Sequence, residues 1–254
     1  MQKTLGVILL LALGAYAAAC LALFLLQRSL IYFPPRSAAV QAPTVSTLAV
    51  PGASVKVSEQ PVAGNKALIY LGGNAEDVSA SLPLLGEAFP DRSLYLLHYR
   101  GYAGSTGKPT EAALVADALA LFDQVAGKHG DIVVVGRSLG AGVAVQVAGR
   151  RAVGKLVLVT PFDSLRGLAA RQFPYFPVRW LLRDSYEAWR HAPQVKAPTL
   201  VVAAGQDEIV PAHSTQQLFS HFAPGVATMR VIEGVGHNSI SDSPEYLRAL
   251  EGAR

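Results

Sequence analysis

The hydrophobic positions of this chain fall into two regimes. Residues 5–26, LGVILLLALGAYAAACLALFLL, carry no charge and only two glycines break their apolar run. From residue 55 onward the apolar residues come instead in short bursts: VKVSEQPV at 55–62, ALIYL at 67–71, LYLLHY at 94–99, DIVVV at 131–135, KLVLV at 155–159, TLVVAA at 199–204 and TMRVI at 228–232. Most of these bursts are continuous rather than alternating, which predicts strands covered on both faces, as in a parallel sheet. Helix-length segments lie between them. Residues 110–126 have a periodic apolar face, Glu111 at the start and Gly127 as a stop. Residues 138–149 are rich in alanine, valine and glycine, which suits a helix packed closely on a sheet, and residues 211–222 and 244–250 each begin with proline. Strand–helix alternation predicts an α/β fold, a mostly parallel doubly wound sheet with its site at the carboxyl ends of the strands.

The leading run predicts a transmembrane helix. At about 1.5 Å per residue it reaches ~33 Å, enough for a hydrocarbon core of ~30 Å. Lys3 and Arg28 bracket it as interfacial stops. A cleaved secretory signal would be shorter and would end in a small-residue cleavage site. Ala17-Ala18-Ala19-Cys20 could be read as a lipoprotein cleavage box, but alanine stands where leucine is usual and the apolar run continues past Cys20. We therefore read residues 1–28 as a membrane anchor, residues 29–50, with Pro34, Pro35 and Pro43, as a stalk and entry segment, and residues 51–254 as one globular domain. Lys3 and the amino terminus balance Arg28 and Arg36 across the span, so charge does not orient it. The globular part lacks cysteine, so disulfides give no compartment either. The expectation is a single-pass protein with its domain on the extracytoplasmic side.

Composition sharpens this division. The chain is 51% hydrophobic and 16% charged, against about 25% charged in ordinary domains. Without the leading run the remainder falls to about 47% hydrophobic, an ordinary globular value. A net charge of +4 without a basic run gives no nucleic-acid footprint.

Candidate chemistry begins at Gly136-Arg137-Ser138-Leu139-Gly140. A G-x-S-x-G spelling arises easily by chance; here it follows the buried run DIVVV directly and opens a helix. A serine on such a strand-to-helix turn is a candidate nucleophile in a strained backbone conformation, with glycines relieving the crowding. A phosphate-binding turn is the competing reading, but neither G-x-G-x-x-G spacing nor a P-loop lysine is present. A serine nucleophile needs a base, and the base an orienting acid. Of six histidines only His237, in GVGHNS, sits in a loop just after the last predicted strand. His129 ends a predicted surface helix, His213 and His221 lie on a solvated one, and His98 reads as a packed core residue. Asp207 follows TLVVAA at a strand's carboxyl end; Glu208 beside it is the chief competitor and Asp163 a further one. An oxyanion hole would take the backbone N–H of Leu139 and a second N–H from the loop Leu71-Gly72-Gly73-Asn74-Ala75. Asn74 is the candidate there, although its side chain could brace the loop and Gly72-Gly73 could be a plain tight turn.

The order Ser138, Asp207, His237 is that of α/β-hydrolases. From Leu30 on, the chain resembles the membrane-anchored Bem46-like/ABHD13-like group within the serine-aminopeptidase-like hydrolase assembly. The resemblance runs through IYFPP, LGGNAEDV, YRGYAGSTGKPTE, GRSLGAGVA, LVTPFDSL, FPYFPVRWLLRDSYEAW, GQDEIVP and GVGHNS in order. It implies an α/β-hydrolase fold, a nucleophile at Ser138, an acid at Asp207, a base at His237 and oxyanion donors at Asn74 and Leu139. Tyr99, Arg100 and Gly101 match a segment that would support the site. One position departs: Gly72 stands where many relatives carry histidine.

The insertion at 163–198 is short and lid-like. Phe173, Tyr175, Phe176, Trp180, Leu181 and Trp189 alternate there with Arg171, Arg179, Arg183 and Arg190. These residues read either as helix faces packed on the sheet with solvated arginines opposite, or as an apolar acyl pocket beside a basic rim that meets lipid head groups. No H-E-x-x-H, paired cysteines or carboxylate cluster calls for a metal, and no cofactor is expected. The sequence thus predicts a membrane-held serine hydrolase of carboxylic esters or thioesters acting on a small acyl substrate, lipid-like in the pocket reading. A small-peptide or amide hydrolase with the same residues, and a non-catalytic binding scaffold, are the rival readings.

Overall fold

The computed structural model describes residues 2–35 and 44–254; Arg36, Pro43 and the rest of 36–43 lie outside the described residues. The leading run forms one helix, α1 (Gln2–Ile31), long and apolar enough to cross a membrane. The region read as a stalk contains a strand, β1 (Thr44–Val50), which corrects that expectation. The cause is its pattern. TVSTLAV buries Leu48 and Val50 but exposes Thr47 and Ala49, so β1 alternates as a half-covered edge strand does and lacks the continuous run sought for buried strands. Pro51-Gly52, with Gly52 at φ 74°, turns the chain into β2 (Ala53–Gln60). Proline then glycine is the order a type II turn favours.

The remaining strands are β3 (Lys66–Leu71), β4 (Ser93–Leu97), β5 (Asp131–Arg137), β6 (Lys155–Val159), β7 (Thr199–Ala204) and β8 (Ala227–Ile232). They form one sheet in the order β1-β2-β4-β3-β5-β6-β7-β8. Pairing is antiparallel at β1/β2 and β2/β4 and parallel from β4 to β8. Both faces are covered. Ala67, Ile69 and Leu71 of β3 join one core, while Leu68 and Tyr70 join the other, and Val134 and Val135 of β5 divide the same way. That is why these strands read as unbroken apolar runs.

Helices α3 (Glu111–Ala126), α4 (Leu139–Ala148) and α8 (Ala212–Ser220) cover one face; α2 (Leu82–Ala88) and α9 (Pro244–Glu251) cover the other. Thr110 caps α3, its hydroxyl accepting from Ala113 N at 3.1 Å. Every residue of α4 is buried, which accounts for its small side chains. Between β6 and β7 the insertion forms a cap of short helices, α5 (Leu165–Gln172), α6 (Val178–Leu181) and α7 (Ala188–His191).

Candidate active site

Register brings the candidate residues to one edge of the sheet. Leu71 at the end of β3 pairs with Gly136 in β5, so the loop after β3 lies beside the turn after β5. Ser138 occupies that turn at φ 49°, ψ −114°, a conformation costly for a residue with a Cβ. Its N–H donates to Val159 O at 2.9 Å, holding the turn to the neighbouring strand. The flanking glycines follow from close approach. A Cβ on Gly140 would stand 2.0 Å from Leu71 O, and one on Gly136 would stand 2.5 Å from Gly140 O. Although Ser138 is at the amino end of α4, its hydroxyl caps nothing. It lies 2.9 Å from His237 Nε2.

His237, buried in the loop after β8, directs Nδ1 at both carboxylate oxygens of Asp207, at 3.0 and 2.9 Å. A carboxylate on Nδ1 selects the tautomer with its proton there, leaving Nε2 free to accept from Ser138. Asp207 is itself fixed: its Oδ1 accepts from Ile209 N at 2.9 Å and Val210 N at 2.7 Å. Glu208 takes a different role, accepting from the backbone N–H of His237 at 3.1 Å. Asp163 is engaged elsewhere, accepting from the Ser214 hydroxyl on α8. Geometry therefore joins Ser138, His237 and Asp207 in one hydrogen-bonded line and leaves Glu208 and Asp163 out of it.

The other histidines stand apart. His98 is buried with Nε2 2.7 Å from Ser58 Oγ, and burial holds its imidazole below the ordinary histidine value. His129 corrects the expectation of a surface position: it is buried in the turn after α3, 3.0 Å from Tyr95 Oη. His213 is exposed as expected, and His221 is half-buried against Trp189.

At the candidate oxyanion site, Leu139 opens α4, while the side chain of Asn74 is hydrogen-bonded at both ends. Its Oδ1 accepts from Phe33 N at 3.1 Å, Ala75 N at 3.0 Å and Tyr102 Oη at 2.9 Å, and its Nδ2 donates to Ile31 O at 2.6 Å. Bracing by the side chain is compatible with a role for the backbone N–H, which is the group the sequence argument requires. Burial pushes the Tyr102 phenol up to about 12, so it stays a proton donor near neutrality. The sequence reading missed Glu76. Its carboxylate accepts from Gly73 N at 2.6 Å, from Tyr70 Oη at 2.6 Å and from Ser81 Oγ at 3.0 Å, clamping this loop. Spacing alone gives no signal separating Glu76 from an ordinary loop acid. Tyr99, expected as support, donates to Gly72 O at 2.9 Å, and Val78 fills the space a side chain at position 72 would need.

A pocket of about 600 Å³ opens over Ser138 and Leu139. Its walls are mainly apolar: Phe162 on the domain side, and Leu165, Leu168, Phe173, Phe176 and Leu181 from the cap. The surprise is the fourth wall. Leu23, Gln27, Leu30 and Ile31 of α1, read from sequence as anchor and stalk only, line the same space.

The comparisons agree with this architecture. The family described as "Alpha/beta hydrolase family" matches residues 50–193, and "Serine aminopeptidase, S33" matches residues 167–244. The chain belongs to the alpha/beta hydrolase family. Among its relatives are the uncharacterized protein Rv2307c of Mycobacterium tuberculosis, 36% identical over 87% of this chain and 82% of that one, and the protein bem46 of Schizosaccharomyces pombe, 29% identical over 60% of this chain and 54% of that one. The lysophosphatidylserine lipase ABHD12 of Mus musculus is 29% identical over 76% of this chain and 56% of that protein. These place it among Bem46-like hydrolases. The esterase Pf2001 of Pyrococcus furiosus shares the fold, with a TM-score of 0.68 at 18% identity over 86% of this chain and 96% of that one.

Proposed function

We propose that this protein is a membrane-anchored serine hydrolase that cleaves carboxylic esters or thioesters of lipid-like acyl substrates. The observation that carries this reading is the line Ser138–His237–Asp207, ending at the floor of an apolar pocket. His237 Nε2 takes the Ser138 proton as Oγ attacks the acyl carbon, and Asp207 stabilises the imidazolium. The N–H groups of Leu139 and Asn74 hold the oxyanion. Collapse expels the alkoxide or thiolate, which takes its proton from His237. Water, activated by the same imidazole, then attacks the acyl-enzyme and frees Ser138.

The aminopeptidase description of one matching family supports a second reading, hydrolysis of small amides. Pocket chemistry favours the ester. A free α-amino group calls for an acid, and the one lining the pocket, Glu208, has one of its two oxygens tied to the His237 N–H. A lipase among the relatives, and α1 as an anchor through residues 5–26, support a lipid-like acyl group.

The test is labelling of the full chain with a fluorophosphonate. Wild type should be modified at Ser138 and Ser138→Ala should not. A folded wild type that resists labelling overturns the reading. A panel of p-nitrophenyl esters should be hydrolysed and aminoacyl anilides should not; the reverse preference would favour the peptidase.

A further inference from the structure

The apolar helix does more than tether. A helix stripe of α1 at positions 16, 20, 23, 24, 27 and 31 turns toward the cap: Cys20, Leu23, Phe24 and Ile31 are half-buried and Gln27 is buried. Contact begins at Tyr16, whose hydroxyl donates to Tyr175 O at 2.8 Å and whose ring stacks on Phe176, 5.8 Å between centroids. Arg183 lies over the Phe24 ring at 4.2 Å, and Gln27 Oε1 accepts from Arg183 N at 2.7 Å.

Lengths decide what this docking means. Residues 5–15, the part of the charge-free run that precedes the first cap contact, reach only ~17 Å at about 1.5 Å per residue, short of a ~30 Å hydrocarbon core. To cross, α1 must also use residues that are already packed on the cap. The tip of the cap is then submerged by ~13 Å, past the head groups and among the upper acyl chains. Tyr175, beside Tyr16, and Trp180 on α6 are 86% and 89% exposed, a costly arrangement in water but the usual one at a head-group boundary. Arg183 lies level with Phe24, ~30 Å along the charge-free run that begins at Leu5, where hydrocarbon gives way to head groups.

Building on the esterase reading above, we propose that the carboxyl half of α1 is the acyl-binding wall of the active site, and that a long-chain acyl ester enters from the bilayer between α1 and the cap. The chain of a bilayer lipid lies among Leu23, Leu30 and Ile31 on one side and Phe173, Phe176 and Leu181 on the other. Because Leu30 and Ile31 stand ~10 Å beyond Phe24 along α1, the lipid is drawn about that far out of the hydrocarbon to bring its ester carbonyl to Ser138.

The full chain in phosphatidylcholine vesicles tests this with two fluorophosphonates, one bearing a hexadecyl chain and one a short alkyl chain. Leu23→Trp should lower the ratio of hexadecyl to short-chain labelling of Ser138 about tenfold or more. An unchanged ratio overturns the proposal. Wild type refractory to both probes overturns the esterase reading instead. Should the variant lose both activities, wild type decides: a phosphatidylcholine photocrosslinker in the acyl chain should mark Leu23 and Leu30, and prior hexadecyl modification of Ser138 should abolish those marks. Marks that persist after Ser138 is blocked report lipid around the helix and overturn the proposal.

Discussion

Asp207 and Glu208 are neighbours in sequence with different tasks in space. Asp207 meets the imidazole with both oxygens and is fixed by two backbone N–H groups, whereas Glu208 holds only the His237 backbone. In the proposed mechanism, Asp207→Asn removes the charge that selects the tautomer and balances the imidazolium, so kcat for an ester should fall by ~10³–10⁴. Glu208→Gln keeps an oxygen to accept from His237 N, and the loss should stay within about tenfold. Steady-state kinetics on one p-nitrophenyl ester check both; the opposite ranking would exchange their roles. No spacing rule separates two adjacent acids, so this distinction was legible only as a pair of candidates until the loop was folded. A second residue has a pH signature. Burial lowers the His98 pKa against a smaller opposing pull from Asp77, so the unfolded state binds the proton that the folded state refuses. Stability from this group is complete above the unfolded value near 6.5 and declines as pH falls from there through the lowered folded value. His98→Gln should flatten that part of the decline, measured by urea unfolding between neutral and mildly acidic pH.

At the scale of elements, the site rests on how closely α4 approaches the end of β3. That approach is possible because position 140 lacks a side chain. Gly140→Ala would drive a methyl into Leu71 O, and because the obstacle is backbone inside a paired strand, relief requires moving α4 or the loop that carries Asn74. The expected cost is about 1–3 kcal/mol, read as a lowered urea midpoint, with ester turnover falling further than stability alone explains. Elements covered on both faces, such as β3, β5 and α4, were legible because burial writes itself directly into composition. β1 was not, since only its inward positions are covered; the insertion at 163–198 was legible as short and helical, but the bounds of its helices were not, since four-residue helices such as α6 are too short to show a period. The placement of Ser138 and His237 was legible for a related reason: each lies in the loop after a predicted strand, where chain direction alone determines the edge it reaches.

For the whole molecule, the sequence divides cleanly into anchor and domain, but the fold does not respect the division. A charge-free apolar run looks the same whether its flank meets lipid or protein, so the docking of α1 had no sequence signal beyond Tyr16 and Gln27, the polar interruptions on the docked stripe. Its strongest tie is ionic. Arg28 Nε meets Asp184 Oδ2 at 3.0 Å, and Tyr32 Oη donates to the same oxygen at 3.2 Å while sharing a hydrogen bond of 2.9 Å with Tyr186 Oη. Asp184 is buried, its side chain 6% exposed, whereas Arg28 is 44% exposed. Removing the arginine leaves a buried carboxylate with only phenolic help, a cost that a fully buried pair sets at 3–5 kcal/mol and that solvent around Arg28 reduces to about 1–2 kcal/mol. Arg28→Met should therefore lower the thermal midpoint in detergent, and Asp184→Asn in the same chain should recover part of the loss, because the orphaned charge goes with it. Equal and additive losses in the two single variants would mean the residues act independently. Coupling between them would tie the stability of the cap to a residue in the last turn of α1.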